Sequence, residues 1–140
     1  MILNFNLSEF NISGEDIPED VADKLLHKHI LPMQGIRNVM RIRIWASKKS
    51  GYRSKKWELA HGRSGESQHT FQGNGAVDWT CEDFQNNKEQ LKKCLILYSK
   101  YTRIAEYAGF FHSDYKPTKS GKRELYISDA QSNWKFLKYI

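Results

Sequence analysis

Between Val21 and Met40 apolar residues return every three or four positions, and immediately after Met40 the period changes to two. Val21, Leu25, Leu26, Ile30, Met33, Ile36 and Met40 mark one face of a helix. Arg41-Ile42-Arg43-Ile44-Trp45 alternates as a strand does, with Ile42 and Ile44 on one face. A chain that switches period in this way is built to pack a helix against a sheet. Ile17-Pro18-Glu19-Asp20 supplies the helix start, with proline early and carboxylates in the first turn. Pro32 and Gly35 interrupt the stripe, which predicts either a kinked helix or two helices in series.

From Ser47 to Gly75 the chain is rich in Gly, Ser, Lys and His and reads as one long polar loop. Loops of that length without structure of their own tend to carry function. Gly75-Ala76-Val77-Asp78-Trp79 reads as a short buried strand. Thr80 with Asp83 forms a capping-box pattern, and the helix after it places Phe84, Leu91, Leu95 and Tyr98 on one face. Gly109 to Tyr115 is a strand by its aromatic content. Pro117 to Gly121 is a turn leading to Glu124-Leu125-Tyr126-Ile127-Ser128, so these two strands are expected to pair as a hairpin. Helices flanking a small antiparallel sheet define an α+β fold. With 140 residues, one domain over 1–140 is expected.

The net charge of +6 and pI near 9.3 raise the question of nucleic acid. The basic residues are scattered over Arg41–Arg43, Lys48–Lys56, Lys88–Lys100 and Lys116–Arg123, without an arginine-rich helix or a nucleic-acid-binding motif. Nucleic acid is therefore not the expected partner, and an anionic cell wall or an acidic peptide suits the same potential. Cys81 and Cys94 are placed thirteen positions apart on one helix, beyond disulfide reach, and are expected as free thiols in or beside the core.

Three polar residues stand in apolar or glycine-rich settings. His69 ends Ser67-Gln68-His69, Asp78 lies at the end of a buried strand, and His112 follows two phenylalanines, where a wet side chain is costly without a partner. Singly, each has a mild explanation: a hydrogen-bonded core histidine or a turn-forming aspartate. A catalytic zinc takes three protein donors of these nitrogen and oxygen types and keeps a position open, so the residues alone leave a zinc site and the mild explanations side by side. His27 and His29 lie two apart on a helix and face different ways, so they do not suit a shared metal.

Ser50-Gly51-Tyr52-Arg53-Ser54, Ser67-Gln68-His69, Gly75-Ala76-Val77-Asp78 and Phe111-His112-Ser113-Asp114, in that order, resemble the zinc D-alanyl-D-alanine carboxypeptidase family. That family includes D,D-dipeptidases and phage L-alanyl-D-glutamate endolysins and shares its fold with the hedgehog signalling domain. The resemblance runs from residue 4 to about 116. It implies a hedgehog/D-Ala-D-Ala peptidase-like fold, zinc held by His69, Asp78 and His112, and Arg53 and Ser67 as substrate-binding residues, with Arg53 anchoring a substrate carbonyl or carboxylate. The implied activity is hydrolysis of peptidoglycan stem peptides at a bond involving a D-amino acid, as a carboxypeptidase or an endopeptidase.

Two departures from the family pattern matter. His69 and Asp78 are nine positions apart, two more than the family's interval, with glycines at 73 and 75 to take up the excess. The carboxylate that many relatives place three residues before the last histidine is replaced by Gly109. Asp114, two residues after His112, and Glu106, six before it, remain as alternative general bases. His61 is a further loop candidate for supporting the site, although a solvated histidine is the simpler reading. The alternative function is a non-catalytic zinc module, for example of a phage particle. The first twenty residues carry acidic side chains and no continuous apolar stretch. No signal peptide, membrane span or membrane partner is expected, and a monomer made in the cytoplasm and released on lysis would suit an endolysin.

Overall fold

The computed structural model describes residues 2–140, so Met1 lies outside the described part of the expected domain. Helices α1 (Glu19–Lys24) and α2 (Leu31–Met40) are joined without a break by a π-helical segment, Leu25–Ile30. The expected interruption is thereby absorbed rather than expressed as two helices. Pro32 has no N–H to give the carbonyl of Lys28 one turn back. That carbonyl accepts instead from the Tyr115 hydroxyl at 2.5 Å, while Leu31 N–H bonds the Leu26 carbonyl in the wider π register. Arg41, in the left-handed region at φ 57°, ends the helix.

Strands β1 (Ile44–Ala46), β2 (Ala76–Cys81), β3 (Arg103–Glu106), β4 (Phe111–Asp114), β5 (Glu124–Ser128) and β6 (Trp134–Tyr139) form one sheet in the order β1-β2-β4-β3-β5-β6. The fold is α+β, but the sheet is mixed: β3 and β5 run parallel and the other neighbours antiparallel. The hairpin expected between β4 and β5 is not formed. β3 pairs with both, and Glu124 N–H continues its ladder onto the Thr102 carbonyl. Neither β3 nor β6 was legible beforehand, because Arg103–Glu106 is short and β6 lies at an exposed edge without alternation.

One face of the sheet carries the core. Val77, Trp79, Phe111, Ile104 and Leu125 point toward α2 and α4 (Phe84–Tyr98), with Phe5 and Phe10 edge-on to Trp79 at 5.7 and 5.5 Å. Each fully buried large side chain contributes about 1.5–3 kcal/mol, so this face dominates the stability. Cys81 is on β2 and Cys94 on α4, not on one helix; both are buried free thiols. The strand runs through Thr80, so the capping box expected with Asp83 is absent, and Asp83 enters α4 from the left-handed region at φ 47°. Among the described residues no helix is long and apolar enough to cross a membrane.

The expected long loop has structure. It contains α3 (Lys55–Ala60), capped by the Ser54 hydroxyl, and short 3-10 turns at Ser47–Lys49 and Gln68–Thr70. Its last stretch is closed by Phe71 at φ 59° and Gly75 at φ 83°, with the Phe71 ring lying where a Gly75 side chain would stand. Gly14 has a similar φ of 72° and open space around it. Gly14→Ala should therefore cost only about 1 kcal/mol, the left-handed penalty. Gly75→Ala adds overpacking to that penalty and should cost about 3 kcal/mol, lowering the melting temperature by about 10 °C. Thermal unfolding of the pair checks the difference; equal losses would contradict it.

Candidate metal centre

Asp78 on β2 stands directly across from His112 on β4, which places both side chains on the sheet face away from the core. His69 reaches the same point from the middle of the 3-10 turn Gln68–Thr70. One donor atom from each of the three lies within 4.8 Å of the others. His69 Nε2 is 3.5 Å and His112 Nδ1 2.9 Å from the same oxygen, Asp78 Oδ1. Tetrahedral ligands of a zinc ion lie about 3.4 Å apart, so the three residues form a group able to hold a metal ion.

The atoms behind the group decide which nitrogens are free. His69 Nδ1 donates to the Gly51 carbonyl at 2.9 Å, which turns Nε2 toward Asp78. His112 Nε2 donates to Asp114 Oδ2 at 2.8 Å, which directs Nδ1 inward. Asp78 Oδ2 accepts from the Ser50 hydroxyl at 2.6 Å, so Oδ1 is the oxygen presented. Arg53 N–H bonds the His69 carbonyl, and Asp78 N–H the Ser50 carbonyl. The Ser50-Gly51-Tyr52-Arg53 segment thus grips both His69 and Asp78, which accounts for those residue types occurring as one string.

Asp114 was a candidate base on the strength of sharing a face with His112, and it does share that face. Its carboxylate is fully buried and already occupied: Arg103 donates through Nε at 3.0 Å and Nη2 at 2.5 Å, Lys116 N–H at 2.9 Å, and His112 through Nε2. Burial pushes its pKa up, but the bonds from His112 and Arg103 outweigh that and hold it near 2. A carboxylate so held orients the histidine rather than collecting protons. Glu106 lies on the opposite, core face of the sheet beside Phe111, paired with α4 through Lys92 at 2.7 Å and Lys88 at 3.7 Å. Strand parity separates it from the metal group, so it is not brought into the site.

The group opens into a cleft of about 420 Å³ lined by Arg53, Arg63, Glu66, Tyr107, Lys116 and Trp134 among others. Arg53 is only 9% exposed, and burial together with Arg63 lowers its pKa, partly offset by Glu58. Its Nη2 donates to Ser67 Oγ at 3.3 Å, and Ser67 in turn donates to buried Glu58. Arg53 Nε lies 3.1 Å from Glu58 Oε2, yet its N–H is not aimed at that oxygen and has no acceptor. Ser67 and Glu58 therefore prop Arg53 on the cleft wall, with its buried Nε on the Glu58 side, turned away from the cleft. His61 is exposed, stacked on Trp57 at 3.8 Å and bonded to its carbonyl, and does not line the cleft.

Sequence reasoning missed Glu58, Arg103 and Trp134. Glu58 and Arg103 have no local signal, since each is defined by a partner on another element. Trp134 comes from beyond residue 116, packs 5.2 Å from the His112 ring, lies under Arg103 at 4.7 Å and donates to the Tyr107 hydroxyl.

Burial disfavours the His112 imidazolium, but its bonds to Asp114 and Asp78 win and raise the pKa to about 9. Burial likewise acts against the Asp78 carboxylate, while His69 and His112 hold it far below the usual range. Without metal, His112 is protonated at neutral pH, and an ion can take Nδ1 only by displacing that proton. Metal affinity should therefore rise about tenfold per pH unit up to about pH 9, with about one proton released per ion bound at pH 7.5. Calorimetry in buffers of different ionisation enthalpy measures the release; a pH-independent affinity between 6 and 8 would contradict it. Comparison with family models, with curated proteins and with solved structures gives no match to this chain.

Proposed function

We propose that the protein is a zinc-dependent peptidase acting on peptidoglycan stem peptides, with the fold of the hedgehog/D-Ala-D-Ala peptidases. The observation that carries this reading is the convergence of His69 Nε2, Asp78 Oδ1 and His112 Nδ1 beneath a cleft that a peptide could enter. Two imidazoles and a carboxylate, with no thiolate, are the donor set of catalytic rather than structural zinc. The outer partners Gly51, Ser50 and Asp114 fit as well, because each fixes the free nitrogen or oxygen of one ligand. The four motifs shared with that family support the substrate class.

The chemistry such an ion supplies when bound is Lewis-acid activation of water and of a peptide carbonyl. Arg53 lines the cleft and orients the substrate through the terminal guanidinium N–H groups rather than the buried Nε, binding a carboxylate or carbonyl of the peptide. Trp134 and Tyr107 wall the cleft and limit water. With Asp114 committed to His112 and Glu106 on the far face, the carboxylate left to serve as proton acceptor is Glu66, exposed on the cleft lining. It is the carboxylate other than Asp78 on the cleft lining, and its side chain bonds to no other described residue. A second reading, a zinc module that binds without catalysing, is favoured by the same loss of both original base candidates.

Zinc content is measured first, and the protein is then incubated with purified peptidoglycan fragments whose products are identified by mass. Expected are about one zinc per chain and cleavage next to a D-amino acid. Glu66→Gln should keep the zinc and lose at least about a hundredfold in kcat, and Arg53→Lys should raise KM more than it lowers kcat. Zinc absent from the wild type, or retained in full by His112→Ala, overturns the site. Zinc bound without turnover on any stem peptide selects the binding module.

A further inference from the structure

The nine-position interval between His69 and Asp78 leaves a loop that must be held from outside if the two ligands are to keep one geometry. Its holders lie in the π-helical segment Leu25–Ile30 and the turn before it. His29 is fully buried there, with both ring nitrogens engaged. Nε2 faces the Asn74 carbonyl at 2.8 Å and must donate, so Nδ1 accepts from the Tyr101 hydroxyl at 2.7 Å. Tyr101 in turn accepts from the Trp79 indole at 3.0 Å. Lys24 Nζ donates to the Phe71 carbonyl at 3.1 Å, and the His29 ring packs on Phe71 at 5.5 Å and on Tyr115 at 5.4 Å.

The same segment holds the second ligand strand. Tyr115, which follows Asp114, donates to the Lys28 carbonyl that Pro32 leaves without its helical partner. Neighbouring residues of one π turn thus fasten the loop that precedes Asp78 and the end of the strand that carries His112. A regular α-helix without Pro32 would use the Lys28 carbonyl internally and would give up that anchorage.

We infer that the π-helical turn is a positioning device for the metal centre, with His29 as its principal residue, acting on His69 and Asp78 through Asn74 and on His112 through Tyr115. The inference rests on the metal reading above and is independent of whether the protein is a peptidase. It gives a reason for a buried histidine that touches neither metal nor substrate.

The test compares wild type, His29→Leu, His29→Gln and Tyr115→Phe. Zinc affinity is read by competition with a chromophoric chelator, and ligand geometry by the visible spectrum of the cobalt-loaded protein. Thermal melting of the metal-free forms reports stability separately. In His29→Leu the affinity should fall about 10–100-fold and the cobalt bands should shift. His29→Gln, whose amide can donate to the Asn74 carbonyl, should recover most of the affinity. Tyr115→Phe removes one hydroxyl at the helix surface and should lose severalfold; it decides the matter if His29→Leu does not fold. Wild-type affinity and spectrum in folded His29→Leu, or in Tyr115→Phe when that variant decides, overturn the inference, as does equal loss in the leucine and glutamine variants. A wild type that takes up no zinc or cobalt fails at the metal reading itself, and the positioning role falls with it.

Discussion

The cross-strand pair Asp78–His112 is the contact on which the arrangement depends. The two residues are direct partners in the β2–β4 ladder, so their side chains meet only in this register. A slip of either strand by one residue would turn its own polar member into the core and bring Val77 or Phe111 out. The buried faces of Trp79, Phe111 and Val77 forbid that slip, because it would expose several large apolar side chains at about 1.5–3 kcal/mol each. Core packing on one side of the sheet thereby fixes the register of the polar pair on the other.

That polar face is expensive, and the way its charges alternate explains how it is borne. Arg103, Asp114, His112 and Asp78 run in a line of opposite signs joined by hydrogen bonds, with His69 closing the far end. Removing one member leaves its neighbour buried and unpaired, which costs far more than an exposed pair is worth. A metal ion in the group would substitute for the His112 proton with little movement. Asp114 is tied into this line from both sides, by Arg103 and by His112. This is the physical reason that its role differs from that of a base: nearness on a strand says which face a residue is on, not whether its lone pairs are free.

The grouping of His69, Asp78 and His112, able to hold a metal ion, was legible in the sequence because each member stands where an uncompensated polar side chain would be penalised. The α+β class followed from the change of hydrophobic period near Met40. Strand pairing was not legible in the same way. β5 joins β3 in parallel through contacts remote in sequence, and β3 is four residues without strict alternation. The separation of Glu106 from the site depends wholly on that pairing. Glu58, buried beneath Arg53, looks in sequence like any carboxylate on an exposed helix turn, since its burial is imposed by Arg53 and Ser67 from another part of the loop.

The C-terminal hairpin adds a part that the motifs leave out. β6 is an edge strand with both faces partly open, and Lys135 and Lys138 along it discourage pairing with another chain. Its first residue turns inward: Trp134 lies against His112, Tyr126 and Arg103. The indole thus covers the ion pair that orients His112 and lowers the local dielectric around it, which strengthens both the Arg103–Asp114 and the Asp114–His112 bonds. A chain ending at the last ligand strand would leave that pair open to water. The hairpin is accordingly part of the electrostatics of the His69–Asp78–His112 group as well as a wall of its cleft, although it contributes no member of that group.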